Sequence, residues 1–326
     1  MIIAKAPLRI SFVWGWSDLP SFYRKYWGAV ISTTIDKYIY ITLNKKFDDS
    51  IRISYSKTEI VDAIDDIQHD LVRETLRDIW IENGIEITSI ADIPSKGSWL
   101  WSSSCFSVAL YHALYAYKRQ FVTAETLAQK ACNLEINICK QPIGKQDQYA
   151  SAYGWLNIIE FKPDDTVHVN PIICTKETMQ KLSNNLLMFY TGITRSASNI
   201  LADQNQNMIS DNEKQEIMKK MVALTYDLKK ELENNDLNNF WNILHQNRIL
   251  KKQMSGWVSN PQIDEWYNKA MEAWAQWGKI LGAWGWWFLL FYVPQEYHKS
   301  VCNALSDLRK IDFEFETEWS KIIFIH

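Results

Sequence analysis

The sequence has no CxxC pair, no long apolar run, no excess of either charge and few glycines. Its five cysteines (Cys105, Cys132, Cys139, Cys174, Cys302) are odd in number and scattered, the expectation for reduced thiols in a cytoplasmic protein. Lys and Arg total 35 against 38 Asp and Glu, a net charge of −3, which argues against a dedicated nucleic-acid binder or a polybasic membrane anchor. The longest apolar run, Ala283 to Val293, falls short of the roughly 20 residues a membrane helix needs. Lys5 and Arg9 interrupt the first apolar stretch, so no signal peptide is expected. The histidines form no i, i+4 pair and no HExxH, and no Gly-x-Ser-x-Gly elbow occurs; zinc and serine-hydrolase chemistry therefore find no support.

What is present is a folded composition, 47% hydrophobic and 22% charged over 326 residues, with length enough for two domains. It is also rich in tryptophan: 16 Trp stand against 11 Gly, where average usage of about 7% would give roughly 23 Gly. Many Trp occupy turn-like positions beside a glycine, as in Trp14-Gly15-Trp16, Trp27-Gly28, Gly154-Trp155, Gly256-Trp257, Trp277-Gly278 and Trp284-Gly285-Trp286-Trp287. With Trp80, Trp99, Trp101 and Trp274 the set reaches 13, and the pattern reads as a glycine-rich parent whose glycines have become tryptophan. Trp241, Trp266 and Trp319 sit in ordinary amphipathic or strand-like contexts.

Residue periodicity predicts strands at 2–13, 36–43, 51–55, 85–90, 154–161, 186–190, 286–293, 311–315 and 321–325. Helices are expected at 60–80, 102–117, from an N-cap at Thr123 to Ile138, and at 215–234, 237–252, 261–274 and 295–309. The turn Lys162–Asp165 is the candidate boundary, giving domains 1–165 and 166–326. Strands and helices do not alternate strictly, so the fold class expected is α+β rather than a doubly wound sheet.

Four constellations could carry chemistry. The first is the serine-rich run from Pro94 to Ser104, which leads into a helix; free N–H groups, hydroxyls and the positive helix end suit a phosphate, although serine N-capping alone would also explain it. The second is Glu135 and Asp147, 12 residues apart across a Pro/Gly turn, able to converge on a metal–phosphate centre or to be two solvated acids. The third is Lys5-Ala-Pro-Leu-Arg9 followed by Ser17-Asp18, where a carboxylate could accept two hydroxyl hydrogen bonds from a polyhydroxylated substrate. The fourth, Lys279 to Trp287, would be a loop against a strand in a glycine version and an aromatic core strand otherwise.

Taken in order, these segments resemble the galactokinase, homoserine kinase, mevalonate kinase and phosphomevalonate kinase (GHMP) superfamily. Ala6-Pro-Leu-Arg-Ile-Ser-Phe-Val13, Pro94–Ser104 and Lys279–Trp287 resemble its three motifs, and Gln141-Pro-Ile-Gly-Lys-Gln-Asp-Gln-Tyr149 resembles its catalytic-aspartate loop. Ser17-Asp-Leu-Pro20, Gly144-Lys-Gln-Asp147 and Tyr190-Thr-Gly-Ile-Thr-Arg-Ser196 resemble the bacterial heptose 7-phosphate kinases within it. The resemblance implies a ribosomal-protein-S5-like N-terminal domain, a ferredoxin-like C-terminal domain, and ATP and Mg²⁺ as cofactors. It implies Asp147 as general base and Arg9 as a second catalytic residue that positions the sugar with Asp18. It also implies Ser103 and Glu135 as metal ligands, and Lys96, Gly97, Ser98, Ser102, Ser103 and Ser104 around the nucleotide. Ser17, Asp18, Gly144, Arg195 and Gly285 would contact the sugar. The implied partners are a small-molecule sugar phosphate and ATP, with no nucleic acid and no membrane, and a homodimer as the candidate assembly.

Trp14, Trp16, Trp99, Trp101, Trp155, Trp284, Trp286 and Trp287 stand where the family pattern has glycine, which implies weakened or absent activity in this sequence. A fucokinase-like sugar kinase and a non-catalytic, aromatic-rich binder are the alternative readings.

Overall fold

The computed structural model describes residues 1–13, 16–93, 99–193, 212–254, 261–281 and 288–326, the side chains of 99–102 excepted. By internal contacts the chain forms two units, one of residues 1–9, 33–155 and 316–326, the other of residues 10–32 and 156–315.

The first unit is built on a sheet in the order β13-β1-β2-β5-β3-β4. Its strands are β1 (Ile2–Ser11), β2 (Gly28–Lys45), β3 (Ile51–Ser54), β4 (Thr58–Val61), β5 (Ile85–Ala91) and β13 (Lys321–Ile325), of which β1 and β2 belong to this unit through residues 2–9 and 33–45. Pairing is antiparallel for β1–β13, β2–β5 and β3–β4 and parallel for β3–β5. The helices are α2 (Asp70–Ile79), α3 (Trp99–Tyr117), α4 (Ala124–Cys132) and α5 (Gln146–Tyr153). Along α3, Val108, Ala109, Leu110, Tyr111, Ala113 and Leu114 are all buried, so apolar residues surround the helix and it runs through the core. Thr123 caps α4 as expected, its Oγ1 accepting the Thr126 N–H at 3.1 Å.

In the second unit a four-stranded antiparallel sheet runs β11-β8-β10-β9, made of β8 (Leu186–Tyr190), β9 (Trp277–Leu281), β10 (Phe288–Tyr292) and β11 (Arg309–Ile311). Leu187, Phe189, Leu289 and Phe291 form one core with Ile263, Trp266 and Ala270 of α9 (Pro261–Glu272) and Val301 of α10 (His298–Ala304). A second core joins Trp16, Leu19 and Phe22 to Ile217, Met218, Met221 and Met254. Those residues lie on or beside α1 (Pro20–Tyr26), α7 (Asn212–Glu233) and α8 (Phe240–Met254). The unit also holds the hairpin β6 (Leu156–Phe161) and β7 (Val167–Pro171), and α6 (Lys176–Asn184). Among the described residues no helix is long and apolar enough to cross a membrane.

Several sequence-based expectations need correction. The helix expected over 60–80 begins only at Asp70, because residues 58–61 pair with β3 and the Glu59 carboxylate accepts the Gln68 N–H at 2.6 Å, folding the segment back. The helix expected over 295–309 stops at Ala304, since Arg309–Ile311 pairs with β8. Of the strand expected at 311–315, only Ile311 closes β11 and Phe315 opens the two-residue β12 (Phe315–Glu316).

Candidate active site

Four chain segments of the first unit bring the candidate residues together. Arg9 lies on β1, Ser103 and Ser104 near the start of α3, and Asp147 in the first turn of α5, where the N-terminal end of the helix favours an anion. Glu135 lies on a six-residue π-helical turn, Asn133–Ile138, that continues α4. Wide turns of this kind are rare and recur at functional sites because they re-aim a side chain.

Arg9 and Asp147 form an ion pair in which Nε and Nη2 both reach Oδ1, at 2.8 and 2.6 Å. Oδ2 lies outside the pair, so the guanidinium fixes the carboxylate while one oxygen stays available. Both side chains are largely shielded, at 10% and 16% exposure. Glu135 is fully buried; its Oε2 accepts hydrogen bonds from Ser103 Oγ at 2.9 Å and Ser104 Oγ at 3.2 Å, and its Oε1 has no hydrogen-bond partner. Burial pushes the carboxyl up to about 7, opposed by Ser103 and then by Ser107, Ser104 and Gln148. Ser107 and Gln148 are buried without hydrogen bonds of good geometry. Cys105 is buried, its Sγ donating to the Pro7 carbonyl, and burial chiefly pushes its thiol up to about 12. The same thiol feels Asp147, Arg9 and Glu135, which places both pairs around one stretch of α3.

A carboxylate and two hydroxyls are hard oxygen donors, and the unpartnered Oε1 gives them the character of a magnesium site. Among the described residues no three His, Cys, Asp or Glu side chains cluster as a metal site, so water and phosphate oxygens would complete the coordination.

The remaining expected residues are placed as follows. Gly144 is half-buried in the segment leading to α5. Ser17 and Asp18 belong to the second unit and are buried there, with Ser17 Oγ donating to the Ala29 carbonyl at 2.9 Å. Gly28 permits the close approach of the two segments, since a Cβ there would sit 1.8 Å from the Ser17 carbonyl oxygen. Lys96, Gly97, Ser98, Arg195 and Gly285 lie outside the described residues, as does the Ser102 side chain. Residue-type reasoning missed Ser107 and Gln148. The 103/107 spacing on one helix face and the neighbour of Asp147 were the signals that could have found them.

Residues 60–155 match the family model described as GHMP kinases N terminal domain. The chain has the GHMP kinase fold. It is similar to a solved D-glycero-D-manno-heptose 1-phosphate kinase from Bacteroides thetaiotaomicron, with TM-score 0.81 and 24% identity over the whole of both chains. A solved mevalonate kinase aligns with TM-score 0.74 and 17% identity over 98% of this chain and all of that one. Among curated proteins, a D-glycero-alpha-D-manno-heptose 7-phosphate kinase of Campylobacter jejuni is 27% identical over 98% of each chain. An L-fucokinase/L-fucose-1-P guanylyltransferase of Bacteroides fragilis is 22% identical over 81% of this chain and 32% of its own length. The region matched by the family model contains Ser103, Ser104, Glu135 and Asp147.

Among the described residues, five tryptophans have positive φ: Trp16 (59°), Trp27 (66°), Trp80 (59°), Trp155 (63°) and Trp274 (78°). L-residues seldom adopt that region and glycine enters it freely, so all five occupy glycine-type backbone positions. Trp14, Trp257, Trp284, Trp286 and Trp287, and the side chains of Trp99 and Trp101, lie outside the described residues.

Proposed function

We propose that the chain transfers the γ-phosphoryl group of ATP to the anomeric hydroxyl of a sugar phosphate, D-glycero-D-manno-heptose 7-phosphate, giving the 1,7-bisphosphate in the cytoplasm. The observation that carries this reading is the Arg9–Asp147 pair, which orients one buried-edge carboxylate and keeps Oδ2 outside the pair. The substrate follows the Campylobacter relative, which aligns over 98% of both chains.

In this reading Asp147 Oδ2 accepts the proton of the attacking hydroxyl, and Arg9 holds the carboxylate in line. Ser103 and Glu135 hold Mg²⁺, while Lys96, Gly97, Ser98, Ser102 and Ser104, with the amide N–H groups at the head of α3, receive the nucleotide phosphates. Ser17, Asp18, Gly144, Arg195 and Gly285 contact the sugar. Mg·ATP, when bound, supplies the phosphoryl group and the charge that stabilises its transfer.

The test is ADP release with heptose 7-phosphate, unphosphorylated heptose and fucose, with the product located by phosphorus NMR. It is run on this chain and on a variant carrying Trp14→Gly, Trp16→Gly, Trp99→Gly and Trp101→Gly. An anomeric phosphate formed only from the 7-phosphate, and a fall of about 10²-fold or more in kcat for Asp147→Asn, are expected. Preference for fucose would favour the fucokinase-like reading, and near-parental kcat in Asp147→Asn would place the base elsewhere.

A further inference from the structure

The first unit contains a cavity of about 770 Å³ at the other end of α3. Between Ser103 and Ala116, which lines it, α3 rises about 20 Å, so the cavity is separate from the candidate active site. Ala116, Phe121, Val122, Leu127, Ala152 and Ile322 supply an apolar lining, with Trp319 at the rim. Its volume lies within the range of about 300–1,000 Å³ that small-molecule sites occupy. Arg119 is the one permanently charged lining residue, and no carboxylate side chain lines the cavity. Among the described residues no ion pair involves Arg119. His112 is engaged with Ser320 Oγ at 2.9 Å, and burial pushes its imidazole down to about 4, leaving it neutral near pH 7.

Arg119 is also held against its backbone preference. It has φ 56° and closes α3 with the paired bonds Arg119 N–H to Ala116 at 2.9 Å and Gln120 N–H to Tyr115 at 2.9 Å. That geometry favours glycine or asparagine over a residue such as arginine.

We propose that this cavity binds a small carboxylate with an aromatic or branched apolar body, the body seated against Ala116, Val122 and Ile322 and the carboxylate on Arg119. Aromatic area in the cavity would provide affinity, and the single cation would provide the preference for an anion.

The probe is 2-naphthoate, compared with neutral 2-naphthylmethanol of the same body, titrated calorimetrically into the full chain. Expected is saturable binding at one site, with the alcohol at least about tenfold weaker because it lacks the charge-assisted contact. Arg119→Asn, which suits the positive φ and so preserves the helix end, removes the preference for the acid and leaves alcohol binding unchanged. Val122→Trp fills the cavity and abolishes both; Ala124→Leu, on the first turn of α4, is the second filling variant should Val122→Trp not fold. Asp147→Asn leaves naphthoate affinity unchanged. Absence of saturable binding, equal affinity for acid and alcohol, or binding that survives both filling variants would overturn the proposal. So would filling variants that alter the sedimentation coefficient but not naphthoate binding, since the cavity would then be a protein interface.

Discussion

Replacing Trp80 by glycine is expected to stabilise the protein, although it removes the largest side chain. Trp80 closes α2 with φ 59° and ψ 54°, its N–H reaching the Arg77 carbonyl and the Ile81 N–H reaching Leu76 at 3.1 Å. This paired closure requires a left-handed residue, and helix α7 meets the same requirement with Asn235, φ 59°. An L-residue in that region costs about 1–2 kcal/mol, whereas glycine returns about 0.5–1 kcal/mol through its freer unfolded chain. The indole is 82% exposed, so little packing is lost, and the net gain for Trp80→Gly is about 0.5–1 kcal/mol. Trp80→Ala keeps the backbone penalty and should change stability by less than about 0.5 kcal/mol. Trp274 has φ 78° and the same closure of α9, but its ring stacks on Tyr297 at 5.3 Å. That stack is worth about 0.5–1.5 kcal/mol, so Trp274→Gly should be close to neutral. With a urea m-value of about 3 kcal/mol/M, the Trp80→Gly midpoint moves up by roughly 0.2–0.3 M. A midpoint for Trp80→Gly at or below that of Trp80→Ala would refute the backbone account.

Three further outcomes test other parts of the structure. Glu135→Gln keeps the two serine hydrogen bonds but offers a poorer ligand, so the Mg²⁺ concentration for half-maximal activity should rise by about tenfold or more; an unchanged titration removes Glu135 from the metal site. For His112, a folded value of about 4 against an ordinary 6.5 means that the unfolded chain takes up the proton first. The stability this confers is complete above pH 6.5 and is lost as pH falls towards 4, by up to about 3 kcal/mol. Urea unfolding should therefore show a shallower loss between pH 7 and 4.5 for His112→Gln than for the parent, and equal slopes would refute this. Gly154→Ala should destabilise by more than about 2 kcal/mol, read from the same urea curves, because its Cβ would lie 2.4 Å from the Glu318 carbonyl oxygen at φ +66°.

Much of the fold was legible where local chemistry and tertiary packing agree. The Thr123 cap, the buried strands at 186–190 and 288–292, and the helix at the serine run follow from side chains that serve their own segment. The failures fall where distant partners decide. Nothing local to residues 60–69 announces that β3 and Glu59 will draw them out of a helix, and α6 and β7 carry too few apolar residues to show a period. The same division holds in the candidate site. The types and spacing of Glu135 and Asp147 invited attention, but the pairing of Asp147 with Arg9, 138 residues away, is a product of the fold.

The burial of Glu135 also separates a functional account from a stability account. A carboxylate enclosed only for stability would be expected to face a cation, because an unpaired buried charge is costly. Among the described residues placed in the site the cation is Arg9, and it pairs with Asp147 Oδ1. Glu135 is left with two hydroxyl donors on one oxygen and none on the other, and enclosure pushes it up to about 7. The π-helical turn that aims it inward forgoes regular helix geometry as well. Two unfavourable local choices therefore converge on one oxygen atom, and a divalent cation there would compensate both: it would replace the missing donor at Oε1 and favour the ionised form. An apolar residue at position 135 would pack more cheaply, which is why Glu135 makes physical sense as a ligand and little as a brick.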